Sequence, residues 1–458
     1  MASSVKSTSK EPSTAPSLEK LTFDEICRQL KAFVAGKRAS ASFVCGGLVS
    51  IDTKKPAPGS VSQTISVSPP VRICWRKDGD NIPREVALPL HSNTDSKSAS
   101  DDLHQLVVGC DPASFGKGQE DVIDPQYRKA GKLEPQHFFT SFHPADFGIL
   151  QNVEQILLPN FNTDGQNSLP FRKLSAELYK LNVYSGPSGL FRKHVDTPRS
   201  PSQIGSLVVC LPSYFKGGNL VVRHEGKQVA FDWSHQSAST IQWAAFYSDC
   251  EHEIETITEG DRITLTYNLY VTEPVGGSIP PSLIVDPKSL PLYCFLKELI
   301  IDPGFMKKGG AFGFYCSHAY PHTSNEARML LPRALKGADL VLYSVFKSLG
   351  IHIDVVPVII EEDRYSRREQ EKVRVGDTLH PFTVTDAIED EGEGDPVGET
   401  LEVNYRPEIT WVGSPAHAEM ALNHLTYGNE TTQDTVYSYA AIIAEIPPFM
   451  KRHGLVEA

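Results

Sequence analysis

At 458 residues the chain is long for one domain and sufficient for two or three. Its formal net charge of −12, with no run of Lys and Arg, excludes nonspecific nucleic-acid binding, which needs cations clustered against phosphates. No apolar stretch approaches the roughly 20 residues of a membrane span, so neither nucleic acid nor membrane is an expected partner.

Met1 to Lys20 is rich in Ser, Thr, Lys and Pro and lacks the apolar centre of a secretory signal. Residues 1–18 read as a disordered tail, too poor in apolar groups to offset the entropy of ordering. Leu21 to Val34 reads as a helix, because Leu21, Ile26, Leu30 and Phe33 fall near one face. Phe43 to Ile51, Val71 to Trp75, Val86 to Leu90 and Gln105 to Cys110 read as strands, and Pro125 to Leu150 as a polar stretch with helical turns. Val153 to Leu158 reads as a helix leading into the core. Strand signals then follow one another: Glu177 to Tyr184, Ile204 to Leu211, Asn219 to His224, Gln228 to Trp233, Thr240 to Phe246, His252 to Ile257 and Arg262 to Val271. Glu225-Gly226 is a hairpin signal between two of them. So many short strands with turn residues between them predict a sandwich or a jelly roll. Further on, Leu292 to Ile301 and Ser324 to Leu349 read as helical, the second broken near Pro332 or Gly337. Val355 to Glu361 reads as a strand, Asp386 to Glu399 as an acidic loop, Ala416 to Thr426 as a helix, and Tyr437 to Ile446 as strand or short helix. The division expected is a tail (1–18), an N-terminal α/β extension (19–150), a strand-rich core (151–274) and a C-terminal α/β region (275–458).

The chemistry concentrates in the core. His194 and Asp196 are two residues apart, a spacing that puts both side chains on one face of a strand. With His252 from another strand they make two imidazoles and one carboxylate, the donor set of non-haem Fe(II) oxygenases, which leaves metal positions open. Arg262 follows His252 by ten residues, so the chain must fold back, with Gly260-Asp261 as the expected turn. Arg262 and Thr264 share a strand face, and a guanidinium beside a hydroxyl suits the distal carboxylate of 2-oxoglutarate. Tyr184, beside Gly186-Pro187, is either a donor to the same co-substrate or a core tyrosine.

Together Tyr184, His194, Asp196, Gly217-Gly218-Asn219-Leu220, His252 and Arg262 resemble the Fe(II)/2-oxoglutarate dioxygenase superfamily, within it the prolyl-4-hydroxylase-like branch. The wording around them, from Tyr179 to Pro212 and from Ile241 to Tyr270, is similar to large uncharacterised fungal members. Collagen-type prolyl hydroxylases place Lys where this chain has Arg262. The resemblance covers about residues 175–272 and implies an α+β chain with a double-stranded β-helix (jelly-roll) core carrying mixed α/β extensions. It implies Fe(II) on His194, Asp196 and His252, 2-oxoglutarate on Arg262, Thr264 and Tyr184, and ascorbate as reductant. The implied reaction hydroxylates a peptidyl (prolyl-type) or small-molecule C–H bond and releases succinate and CO2. Retention of a carboxylate at Asp196 favours hydroxylation over halogenation. The alternative is a non-catalytic jelly-roll module for binding or regulation.

Other polar residues read more blandly. Arg199 is expected to be structural, pairing with an acidic neighbour such as Asp196. Trp233, Trp243, Phe246 and Tyr247 read as core, and His224 and His235 as surface or loop residues. The segment Cys316 to His322 lacks a partner cluster at ligand spacing and is not read as a second metal site. The eight cysteines are scattered, with no Cys-x-x-Cys pair, which predicts reduced thiols and a cytoplasmic or nuclear location.

Overall fold

A computed structural model describes residues 22–52, 67–76, 82–90, 96–117, 120–161, 172–272, 284–324, 326–361, 372–376, 388–390, 403–426, 432–452 and 455. The expected tail (1–18) and most of the acidic stretch Asp386 to Glu399 lie outside them. The architecture is mixed α/β, rich in strands and with few helices.

Ten strands build the part that carries the site: β1 (Val44–Ile51), β2 (Arg128–Lys129), β3 (Lys173–Ser185), β4 (Leu190–His194), β5 (Gln203–Cys210), β6 (Leu220–His224), β7 (Lys227–Phe231), β8 (Thr240–Tyr247), β9 (Glu251–Ile254) and β10 (Ile257–Thr272). The larger sheet runs β1-β8-β5-β10-β3, extended at both ends by short strands. The smaller runs β7-β6-β9-β4-β2. From β3 onward these strands alternate between the two sheets except at the β6–β7 hairpin, and the short strand Phe215–Gly217 after β5 pairs with β10. Both sheets contribute to one apolar core, among them Leu207, Val209, Leu265 and Phe246 from the larger and Leu220, Val222 and Ile254 from the smaller. All of β5 is buried, as a strand with partners on both sides and apolar side chains on both faces should be.

The hairpin expected at Glu225-Gly226 is present, with φ of 45° and 76° at the two residues. That is the left-handed pair a two-residue hairpin needs to match strand twist. The turn expected at Gly260-Asp261 is not. β10 runs unbroken through both residues, and the chain reverses at Glu255-Thr256 instead. Gly260 is needed for another reason: its φ is 71°, and an added Cβ would sit 2.1 Å from the Tyr214 carbonyl oxygen. Gln105 to Cys110 is also corrected. It forms the end of a helix, Ser96–Gly109, in which Leu103, Leu106 and Val107 turn toward the core at helical spacing. The Pro125 to Leu150 stretch holds short strands as well as 3-10 turns.

A second body of apolar side chains is built from the C-terminal half, on a sheet that includes Gly310–Tyr315, His352–Glu361 and Thr432–Ile446. The helices Pro291–Ile301 and Gly337–Ser348 pack on it, and so does the N-terminal helix Phe23–Ser40. That first helix starts with a full capping box between Thr22 and Glu25. Ala416 to Thr426 is corrected from helix to strand: Glu419–Thr426 pairs antiparallel with Thr432–Ile446, and the pairing overrides the helix-forming Met and Ala.

Candidate functional site

β4 and β9 are neighbours in the smaller sheet, and their register sets His194 directly opposite His252. The ring centroids are 4.1 Å apart. Strand β4 ends at His194, so Asp196 lies just past the strand rather than on it, yet its carboxylate still returns to the imidazoles. Asp196 Oδ1 is 3.7 Å from His252 Nε2, and the metal-binding atoms of the three residues lie within 4.8 Å of one another.

Each ligand atom is oriented from behind. His194 Nδ1 is 2.8 Å from the Arg192 carbonyl oxygen and His252 Nδ1 is 3.1 Å from that of Cys250. A carbonyl only accepts, so both Nδ1 atoms carry the proton and both Nε2 lone pairs remain for a metal. Phe191 stacks on the His194 ring at 3.6 Å and Phe246 lies 4.6 Å from the His252 ring. The Ser206 hydroxyl donates to Asp196 Oδ2 at 2.6 Å, which leaves Oδ1 facing the histidines. Burial, then the neighbouring His252, push the His194 imidazole down to about 3, against the pull of Asp196. Burial works to raise the Asp196 carboxyl, but the two imidazoles, the Ser206 hydroxyl and Arg128 outweigh it and hold it below the ordinary value. A neutral imidazole and an ionised carboxylate are the forms that ligate a cation.

All six residues singled out in the sequence, Tyr184, His194, Asp196, His252, Arg262 and Thr264, line one cavity of about 390 Å³. Arg262 sits in β10 opposite Tyr184 of β3. It is 0 % exposed, and none of its three guanidinium nitrogens has a hydrogen-bond partner. Its Cζ lies 5.1 Å from the Trp233 ring and 5.7 Å from that of Tyr184, so aromatic faces hold it without neutralising it. Burial lowers its pKa, with Cys210 and Tyr184 opposing. An orphaned buried guanidinium on a cavity wall is a receptor for an anion, and a carboxylate is the group its paired donors match. Thr264 is buried two residues along the strand, its hydroxyl 3.5 Å from the Asn182 carbonyl oxygen.

Arg199 does not pair with Asp196. Its guanidinium lies 4.3 Å over the Tyr179 ring and donates to the Tyr179 hydroxyl at 2.8 Å, while Asp196 is held by Ser206. Trp233, Trp243, Phe246 and Tyr247 are all buried, as expected, and His235 is exposed. Two cavity residues escape a reading by motif: Arg128, from the short β2, and Asn182, which accepts from it at 2.8 Å.

His224 is not a plain surface residue. Its ring stacks on His318 at 4.4 Å, and with Asp249 the two form a second group of possible metal ligands. The partner cluster that Cys316 to His322 lacks in sequence is therefore supplied in space. Asp249 is nevertheless already complete. Its Oδ2 accepts from His318 Nδ1 at 2.9 Å and the Ala319 N–H at 3.0 Å, and its Oδ1 lies 3.2 Å from the Lys336 ammonium. Lys336 fills the cation's role. Among the described residues no helix is long and apolar enough to cross a membrane, and no cysteine pair forms a disulfide.

No protein-family model matches the chain, and no curated protein does. Among solved structures it is similar to a 2OG-Fe(II) oxygenase family oxidoreductase from Burkholderia pseudomallei, at 14% identity and a TM-score of 0.22, over 38% of this chain and 79% of that one. It is similar also to a Pseudomonas putida prolyl-4-hydroxylase, at 17% identity and a TM-score of 0.24, over 38% and 84%. A prolyl hydroxylase from Trichoplax adhaerens, solved with a peptide fragment of hypoxia inducible factor, matches at 13% identity and a TM-score of 0.28, over 55% and 94%. Values this low decide neither fold nor chemistry, which rest on the geometry of the chain itself.

Proposed function

We propose that this protein is an Fe(II)- and 2-oxoglutarate-dependent dioxygenase that hydroxylates a C–H bond of a peptidyl (prolyl-type) or small-molecule substrate. The observation that carries the reading is the pairing, in one cavity, of a two-His, one-Asp cluster with a fully buried, partnerless Arg262. Passage of the chain between two sheets from β3 to β10 supports a double-stranded β-helix core, flanked by extensions on both sides.

His194, Asp196 and His252 are the residues that would hold iron; two neutral nitrogens and one hard oxygen suit it, and the cavity side of the cluster stays open. Arg262 would hold the distal carboxylate of 2-oxoglutarate, with Thr264 and Tyr184 beside it. When bound, the pair supplies oxidative chemistry whose balance is dioxygen, 2-oxoglutarate and a C–H bond giving succinate, CO2 and an alcohol. The protein's share is positional. Ser206 and the Arg192 and Cys250 carbonyls fix the ligand atoms, the Phe191 and Phe246 rings hold the imidazoles in place, and burial keeps water from competing for Arg262.

The test is anaerobic. Fe(II) and 2-oxoglutarate added together should give the protein a weak visible charge-transfer band that neither gives alone, and a metal chelator should abolish it. A protein that binds 2-oxoglutarate equally with and without metal, and shows no band, is a binding module and not this enzyme.

A further inference from the structure

We propose that Arg128 is a second anion-binding residue of the cavity and that the substrate attacked there carries a carboxylate. This rests on the dioxygenase reading above.

Arg128 comes from β2, at the edge of the smaller sheet beside Phe191. Its guanidinium lies 4.4 Å over the Phe191 ring, which stacks in turn on His194. It is only 9 % exposed and lines the same cavity as the metal ligands. One terminal nitrogen donates to the Ser114 carbonyl oxygen at 2.6 Å and the other to Asn182 Oδ1 at 2.8 Å. Nε is buried with no partner. Those two bonds would serve to clasp the segment around Ser114 to the core, but a neutral donor could make them. A guanidinium has five N–H groups, and burying its charge against neutral acceptors is costly. Part of that charge steadies the Asp196 carboxylate, but a cation bound to Asp196 would take that anion, and the guanidinium is then left without one.

Charge counting says whose anion it is. The cavity wall holds two buried guanidinium charges, Arg128 and Arg262, against one carboxylate, the partly buried Asp196. Lys180, 3.7 Å from Glu134, shares it with Lys132 at 2.9 Å, so this cluster adds no negative charge to the wall, while Arg199 and Asp121 are exposed at the rim and screened by solvent. A divalent metal and the 2-oxoglutarate dianion neutralise each other. At least one positive charge is then left inside the loaded cavity, and a carboxylate on the substrate offsets it. The co-substrate's own second carboxylate is the other source of the same chemistry, and the experiment separates the two.

The full chain is loaded with Zn(II), which supports no turnover, and titrated calorimetrically with 2-oxoglutarate. The loaded protein is then titrated with butyrate and with its neutral analogue butyramide. Butyrate should bind about tenfold or more tighter than butyramide, the worth of one charged hydrogen bond. Arg128→Gln should erase that preference and leave 2-oxoglutarate binding unchanged, while Arg128→Lys, which keeps the charge, should retain part of it. The wild-type comparison stands even if a variant does not fold. Equal binding of butyrate and butyramide, with Zn(II)-dependent 2-oxoglutarate binding intact, overturns this proposal alone. Loss of 2-oxoglutarate affinity in Arg128→Gln assigns the residue to the co-substrate and also overturns it. Absence of Zn(II)-dependent 2-oxoglutarate binding in the wild type overturns the dioxygenase reading, and this proposal with it.

Discussion

Among the described residues two clusters have the same composition, two histidines and an aspartate, and only one leaves a carboxylate oxygen open toward its imidazoles. At His224, Asp249 and His318 the carboxylate is saturated by an imidazole, a backbone N–H and the Lys336 ammonium. At His194, Asp196 and His252 one carboxylate oxygen is held by Ser206 and the other faces the imidazoles on the wall of a cavity. Ligand type and proximity do not separate the two. The difference is whether the protein has already provided the cation. The Lys336–Asp249 pair closes one cluster and ties the turn before β9 to the C-terminal half of the chain. At the other cluster no lysine stands in the cation's place, which is the basis for proposing a metal there.

The comparison breaks most easily at the carboxylates. Asp196→Ala should abolish 2-oxoglutarate turnover and reduce bound metal from one per chain toward none, because two neutral imidazoles alone hold Fe(II) poorly. Melting of the metal-free protein should change little, since Asp196 stands on the cavity wall and outside the packed core. Succinate release and metal analysis decide this, and normal turnover by the variant would exclude Asp196 as a ligand.

Asp249→Ala should do the reverse. It strands a buried ammonium, and breaking a buried pair from one side costs about 3–5 kcal/mol. Urea unfolding should register that loss while metal content stays at one per chain. If Asp249→Ala instead loses its metal at unchanged stability, the two clusters have been assigned the wrong way round.

The sequence carries the first cluster and not the second for a physical reason. His194 and Asp196 share a short segment, and His252 and Arg262 fall in strands, so local pattern marks these residues, although Asp196 lies past its strand and is turned inward by Ser206. Asp249, His318 and Lys336 sit in a turn, after a strand and at the start of a helix, and only tertiary packing brings them together. Arg128 is hidden likewise, in a strand of two residues with no periodicity to read. Among the elements, strands of the core were legible because short apolar or alternating runs end at turn residues. The misread ones, Ser96–Gly109 and Glu419–Thr426, are short segments whose local preferences were ambiguous until a partner settled them.

Two of the buried cations, Lys336 and Arg262, sharpen the contrast in a smaller way. Lys336 has an anion and Arg262 has none, so Lys336→Met should destabilise the protein and Arg262→Met should raise the melting temperature of the metal-free form. The second variant should weaken 2-oxoglutarate binding by about 1.5–3 kcal/mol, roughly ten- to a hundredfold, with metal affinity unchanged. Equal 2-oxoglutarate binding by Arg262→Met and wild type would remove Arg262 as the anchor.

The smallest effect is on pH dependence, and it touches both clusters. Burial, with His318 next to it, pushes His224 from its ordinary 6.5 down to about 4, while Asp249 pulls the other way. His194 is pushed further, to about 3. The unfolded chain protonates both near 6.5, and the folded chain only near 4 and 3. Between those limits the unfolded state binds more protons, so stability is full above pH 6.5 and is lost as the pH falls through the window. Asp249 adds little above pH 4, because its carboxyl is held well below the ordinary 3.8 and its contribution is lost only as the pH falls past that value. His224→Phe keeps a ring to stack on His318 and removes one of the two titrations. Its unfolding free energy should therefore fall less steeply with acid between pH 6.5 and 4, by at most one proton, about 1.4 kcal/mol per pH unit. Denaturant titrations of the metal-free protein at several pH values measure the slope. Identical slopes for His224→Phe and wild type would mean that His224 is not held neutral by its burial.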